Sequence, residues 1–187
     1  MANMSQISTN SPHAWILAAR PKTLMGAAVP VIIGISAAWA DGFFRPVPAL
    51  LCFLFAFLMQ IDANFINDYY DFRKGLDDEK RLGPKRACAE GWITLPAMRR
   101  GIICTTLLSC LTGLPLVWYG GWTMVLVGVC CVVFCFLYTT CMARLGLGDL
   151  LVLVFFGLVP VGATYYLQSG TVVPKVWALS LACGLVI

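Results

Sequence analysis

Residues 101–143 read GIICTTLLSCLTGLPLVWYGGWTMVLVGVCCVVFCFLYTTCMA, and none of them is Asp, Glu, Lys or Arg. A helix needs about 20 apolar residues to cross a hydrocarbon core. The run therefore predicts two spans, about Ile102–Trp118 and Trp122–Met142, turning at Tyr119-Gly120-Gly121. Working outward, a second charge-free run lies between Asp149 and Lys175 and predicts a span at about Leu150–Leu167. Toward the N-terminus, Leu24–Ala40, with Pro30 as a kink, and Val47–Ile66 predict two more, while Val176–Ile187 begins a sixth. The expected fold is all-α: a multi-pass transmembrane helix bundle with about five spans plus the start of a sixth. Residues 1–187 form one membrane domain, in which 1–20 read as a short polar tail and 68–100 as a charged loop.

Composition supports this reading. Hydrophobic residues make up 60% of the chain and the mean hydropathy is +0.84, far above a soluble domain. The net charge of +4 resides mainly in loops beside the spans, so nucleic acid is not an expected partner; the lipid bilayer is. Lys and Arg set membrane orientation through the positive-inside rule. Arg20 and Lys22, the eight basic residues from Arg73 to Arg100, and Arg144 share one side, against Arg45 and Lys175 on the other. That side, with the N-terminus and the 68–100 loop, is expected to be cytoplasmic. Cysteines such as Cys104, Cys130, Cys131 and Cys135 lie inside apolar runs, where they behave as small hydrophobes. With one histidine, His13, and no Cys-x-x-Cys pair, zinc chemistry is not expected.

The chemistry is concentrated in residues 60–94, QIDANFINDYYDFRKGLDDEKRLGPKRACAEGWIT. If the second span continues as a helix through Asp71, then Gln60, Asn64, Asn67, Asp68 and Asp71 fall within roughly 100° of arc on one face. Asp62 falls opposite and takes no assigned role. Polar groups at this depth are costly unless they face a cavity or a partner. Two carboxylates one turn apart can share a hard cation, and magnesium completes such a site with water and phosphate oxygens. Gly75 is expected to end the helix, letting Asp77 and Asp78 fold back toward the ion. Lys80, Arg81, Lys85 and Arg86 follow, suited to a diphosphate, although basic residues in such a loop also set topology and touch anionic lipid. Tyr138, near the end of the fourth span, suits an interfacial or packing aromatic. Gly146, Gly148 and Asp149 read as a helix-ending turn and a cap.

Asn67-Asp68-Tyr69-Tyr70-Asp71, then Lys74-Gly75 and Asp77, resembles the first Asp-rich motif of the UbiA superfamily of membrane prenyltransferases. The Gly before the third Asp is similar to the MenA-like branch, which prenylates 1,4-dihydroxy-2-naphthoate in menaquinone synthesis. The likeness extends to Arg20-Pro21-Lys22-Thr23, Gln60, Asn64, Arg81, Gly83-Pro84, Arg86, Gly91, Thr94, Tyr138-Thr139 and Leu147-Gly148-Asp149 with Phe155-Phe156-Gly157. The segment between Tyr138-Thr139 and Gly148-Asp149 is shorter than in the family. The family fold has nine helices and a second Asp-rich motif after its sixth span, so the chain is expected to correspond to the N-terminal portion.

The resemblance implies a magnesium-dependent transfer of a polyprenyl group from polyprenyl diphosphate to an aromatic acceptor, dihydroxynaphthoate, at a bacterial inner membrane. It implies Asp68, Asp71 and Asp77 as Mg2+ ligands, with Asp68 and Asp71 catalytic. Asn64 and Asn67 would orient the substrate, Lys22, Arg81 and Arg86 would hold the diphosphate, and Tyr138 would face the allylic cation. Three alternatives stay open: a different acceptor, an inactive membrane fragment, and an ion-coupled transporter. The last would place its carboxylates near the bilayer midplane.

Overall fold

The computed structural model describes residues 7–75, 85–140 and 148–187. Those residues form helices and turns, with no strand among them: α1 Pro12–Ala19, α2 Pro21–Ala40, α3 Pro46–Arg73, α4 Leu95–Gly113, α5 Leu116–Gly120 and α6 Trp122–Thr140. After these come α7 Gly148–Val152, a π segment Leu153–Leu158, α8 Val159–Ser169 and α9 Pro174–Val186. Proline stands at the start of α1, α2, α3 and α9, where its fixed φ suits the first turn and its missing N–H costs nothing.

Three helices are long and apolar enough to cross a membrane: Pro21–Ala40, Pro46–Arg73 and the continuous Gly148–Ser169. Trp122–Tyr138 and Pro174–Val186 are shorter apolar helices. The protein is thus a multi-pass membrane helical bundle. Trp39, Trp118, Trp122 and Trp177 are exposed at the end away from Asp68, as an interfacial aromatic belt requires.

Three boundaries differ from the sequence expectation. Residues 12–19 are not part of a polar tail: Ser11 caps the amide of Ala14 (3.2 Å), and α1 buries Ala14 and Ala18 against α3. The third span starts earlier, at Leu95, with Arg99 and Arg100 exposed in its second turn. It then breaks at Leu114-Pro115 before the one-turn α5. Finally, much of the 85–94 stretch is packed rather than solvated. Ala87, Cys88, Trp92 and Ile93 are buried against Phe65, Ile66 and Met98. The N–H of Asn10 donates to the Trp92 carbonyl (2.7 Å), and that of Thr94 donates to Asn10 Oδ1 (3.1 Å). Together with α1 this segment roofs the end of α3 that carries Asp68 and the start of α4. Trp15 lies edge-on to Phe65 (5.3 Å between centroids) and rests on Gly101, where a Cβ would come within 2.6 Å of the indole.

At the opposite end, two turns are clasped together. Asp41 accepts hydrogen bonds from the Lys175 ammonium and from the Tyr165 hydroxyl, and Gln168 Oε1 accepts from the Arg45 N–H (2.6 Å). The bond from Lys175, then that from Tyr165, hold the Asp41 carboxyl below its ordinary pKa. A carboxyl depressed in the fold contributes stability above its unfolded pKa and loses it as pH falls through the folded one. Thermal midpoints in detergent are therefore expected to be flat around neutrality and to fall below about pH 4. Asp41→Asn should remove that component, and an identical acid profile in the variant would exclude the clasp as its source.

Candidate functional site

α3 does stay helical past Asp71, to Arg73, and Gly75 follows it with φ +65°. Because the helix is continuous, small differences in angle send the polar side chains of its stripe to different neighbours. Gln60 and Asn67 line an internal cavity. Asn64, turned further round and buried, uses Nδ2 to donate to the Ala19 carbonyl (2.9 Å) and to Thr23 Oγ1 (3.0 Å). It thereby fixes the α1–α2 turn, where Arg20 adopts a left-handed φ of 52°, a conformation that costs a non-glycine residue ~1–2 kcal/mol. Asn64, expected among the substrate-binding residues, is committed here to the turn from which Lys22, exposed on the first turn of α2, projects, and it does not line the cavity.

Asp68 sits furthest round and is fully buried. The N–H groups of Ala87 and Cys88 donate to its two oxygens, at 2.8 and 2.9 Å. Asp68, expected among the metal ligands, here takes one backbone amide on each oxygen and so anchors the 85–94 segment. That anchoring brings Arg86 over the next turn of α3, where its Nη2 donates to Asp71 Oδ2 at 2.6 Å. Asp71 keeps 20% exposure against 6% for Arg86, so it is the accessible one of the two carboxylates, Asp68 being fully buried. Lys85 instead pairs with Glu90 at the exposed surface (2.8 Å). Asp77, Asp78, Lys80 and Arg81 lie outside the described residues.

The cavity measures about 470 Å³ and lies between α2, α3, α6 and the helix 148–169. Tyr138 lines it at the same end as Asn67 and Gln60, with its hydroxyl 4.0 Å from where a Cβ on Gly148 would stand. Below them come Phe134 and Phe155, tilted rings 5.1 Å apart, and Phe156. A π turn carries one residue more than an α turn, and the two adjacent phenylalanines both border the cavity. The remaining wall is almost wholly apolar. The cavity thus joins a hydrogen-bonding end, at Gln60, Asn67 and Tyr138, to an apolar chamber, and Asp71 follows one turn beyond Asn67 on the same helix.

Sequence reasoning missed one polar feature. Asp62, correctly placed on the far face of α3, is fully buried and accepts hydrogen bonds from Thr105 Oγ1 (2.5 Å) and Thr106 Oγ1 (2.7 Å) of α4. The readable signal was the adjacent threonine pair inside a run without charge, the only kind of partner such a run offers a carboxylate.

Whether the residues present suit magnesium can be judged from their donors. Among the described residues no three Asp, Glu, His or Cys side chains converge on one point. Asp71, with Asn67 one turn earlier on the same helix, offers hard oxygen donors only. Such a sparse set suits an ion that uses one or two carboxylates and takes its other ligands from water and phosphate. It does not suit a metal held by protein alone.

A model of the UbiA prenyltransferase family matches residues 27–187. The chain belongs to that family. Among its UbiA relatives, 1,4-dihydroxy-2-naphthoate octaprenyltransferase of Escherichia coli (strain K12) is 38% identical over 191 residues, covering 97% of this chain and 62% of the relative. The protein of the same name from Haemophilus influenzae is 35% identical, over 91% of this chain and 59% of its own. UbiA prenyltransferase domain-containing protein 1 of Danio rerio is 30% identical over 90% of this chain and 52% of its own. The chain thus spans between about half and three-fifths of these UbiA proteins.

Proposed function

We propose that the protein transfers a polyprenyl group from its diphosphate to 1,4-dihydroxy-2-naphthoate, at the inner membrane of a bacterium with its N-terminus cytoplasmic. The observation that carries the reading is the cavity: an apolar, aromatic-lined chamber with Gln60, Asn67 and Tyr138 at one end, and the Asp71–Arg86 pair one helical turn beyond Asn67 on α3. A polyprenyl diphosphate has the same division, a long hydrocarbon tail behind a compact anionic head. The choice of acceptor follows the relatives' names.

In this reading the tail enters the chamber and the diphosphate lies at its mouth. Arg86, already held in place by Asp71, gives the phosphate oxygens a forked donor, and Lys22 adds a point charge from the neighbouring turn. Arg81 is proposed to join them. Asn67 offers its amide to the diphosphate or its waters. Magnesium, held by Asp71 with Asp77 as a proposed second carboxylate, would supply Lewis-acid stabilisation to the departing diphosphate. The allylic carbon–oxygen bond breaks with its electron pair leaving on the diphosphate. The cation that remains lies among Tyr138, Phe134, Phe155 and Phe156, whose ring faces favour positive charge. A ring carbon of the naphthoate then forms the new carbon–carbon bond, and the carboxylate leaves as carbon dioxide.

The test uses membranes carrying the protein, dihydroxynaphthoate and an all-trans prenyl diphosphate. Prenylated product should form with magnesium, stop under chelation and return when magnesium is restored. Sustained product formation under strong chelation would remove the metal from the proposal. Absence of product with every donor would remove the reaction itself.

A further inference from the structure

We propose that Cys131 and Cys135 form a site for a soft, linearly coordinated metal cation of the mercuric type, and that its occupation blocks transfer; the second half rests on the prenyl-transfer reading above. Both thiols belong to α6, are free and line the cavity. They stand four residues apart, which puts their Cβ atoms about 5–6 Å from one another on the same face of the helix. Among the described residues no other two cysteines have a helical spacing of three or four. Packing does not account for the pair. Cys52, Cys88 and Cys183 are buried, whereas Cys131 and Cys135 are only half-buried.

The number of thiols selects the metal. Structural zinc takes four ligands, and among the described residues no three Asp, Glu, His or Cys side chains converge. Two thiolates satisfy a soft ion that binds its ligands in line. Charge narrows the class further. Each thiol loses its proton as its sulfur–metal bond forms, so two protons leave and no electron is transferred. A divalent ion on two thiolates is neutral overall. A monovalent ion leaves a net negative charge, which apolar surroundings penalise. Those surroundings include Phe134, one residue before Cys135, and Phe155 across the cavity.

Position supplies the consequence. Tyr138 stands three residues past Cys135 and seven past Cys131, roughly 4.5 and 10.5 Å along the helix axis, and all three line the cavity. An ion bridging the two sulfurs therefore takes up space beside Tyr138 and Phe134, where the allylic group is proposed to react.

The experiment loads the full chain, purified in detergent, with one equivalent of mercuric ion and strips it with 2-mercaptoethanol. It compares the wild type, Cys131→Ser, Cys135→Ser and Cys110→Ser, whose thiol borders the cavity from α4. Holding two ligands on one scaffold strengthens retention by about 10²–10⁴-fold through effective concentration. Stripping the wild type and Cys110→Ser should therefore take about a hundredfold more competitor than stripping either α6 variant. X-ray absorption on the retained ion should show two sulfur neighbours. Equal retention in the wild type and both α6 variants, or three or more sulfurs, would overturn the site. Cys131→Ala and Cys135→Ala repeat the comparison if a serine variant fails to fold. Transfer is read in the same samples as a fraction of each protein's own metal-free rate. The loaded wild type should lose transfer and regain it on stripping. Retention on two sulfurs with undiminished transfer would overturn the blocking. A protein that transfers nothing even without mercury would remove the reaction, and retention alone would then decide the site.

Discussion

Replacing Asp68 by alanine should release residues 86–93 from the end of α3 and reduce prenyl transfer by roughly a hundredfold or more. The magnitude follows from what the carboxylate does. It accepts two buried backbone N–H groups, from Ala87 and Cys88, and each hydrogen bond to a charged group contributes about 1.5–3 kcal/mol. Losing both costs about 3 kcal/mol or more, and every ~1.4 kcal/mol is a tenfold change in the docked population. Asparagine should do little better, because its NH2 would face an N–H where the carboxylate presents an oxygen. The consequence for chemistry is indirect: once the segment leaves, Arg86 leaves Asp71 with it. Asp71→Asn tests the other half of the arrangement, since it removes charge at the mouth without removing the anchor. It should abolish transfer while the 85–94 segment stays seated. Amide hydrogen exchange at Ala87 and Cys88, read beside activity in membranes, separates the two roles. Loss of protection with loss of activity supports anchoring. Lost activity with both amides still protected would show that Asp68 acts on the substrate or its ion directly, and full activity with protected amides would remove both roles.

The difference between these neighbouring aspartates marks where the sequence stopped being informative. Helical periodicity correctly put Gln60, Asn64, Asn67, Asp68 and Asp71 on one face and Asp62 on the other, because that needs only a regular helix. It did not say which neighbour would meet each edge of the face. The partner of Asp68 is a pair of backbone amides 19 and 20 positions later, and amides carry no side-chain signature. Nor was the roof over α3 visible. Residues 85–94 look like a charged loop because Lys85 and Glu90 are exposed, yet Ala87, Cys88, Trp92 and Ile93 among them are buried. Charge counting averages over that alternation. The spans were readable because a hydrocarbon core imposes its length on any sequence. The break at Leu114-Pro115 was not, since proline is tolerated inside apolar helices, as Pro30 of α2 shows in the same chain.

Gly157→Val should be the most destabilising substitution in the bundle that touches no charged group. A membrane offers no hydrophobic force to press helices together, so association depends on close van der Waals fit at small residues. Gly157, in the π segment, lies against α9 so closely that a Cβ would stand 2.5 Å from the Ser180 carbonyl oxygen and 2.7 Å from Gly184 Cα. Gly184 returns the contact, its own Cβ falling 2.7 Å from the Leu153 carbonyl oxygen. These neighbours are backbone, so no rotamer change relieves the overlap and the helices must part. Overpacking of this kind costs about 1–3 kcal/mol, and a branched side chain belongs at the upper end. The displacement also reaches the site, because the same π turn carries Phe155 and Phe156 along the cavity wall. The thermal midpoint in detergent should therefore fall, and donor binding should weaken with it. Gly184→Val should act alike, and the double variant should lose less than the sum of the two, because one separation of the helices relieves both overlaps. Fully additive losses, or a wild-type midpoint in Gly157→Val, would show that the two glycines do not share a contact surface and that the aromatic wall is held in place by something else.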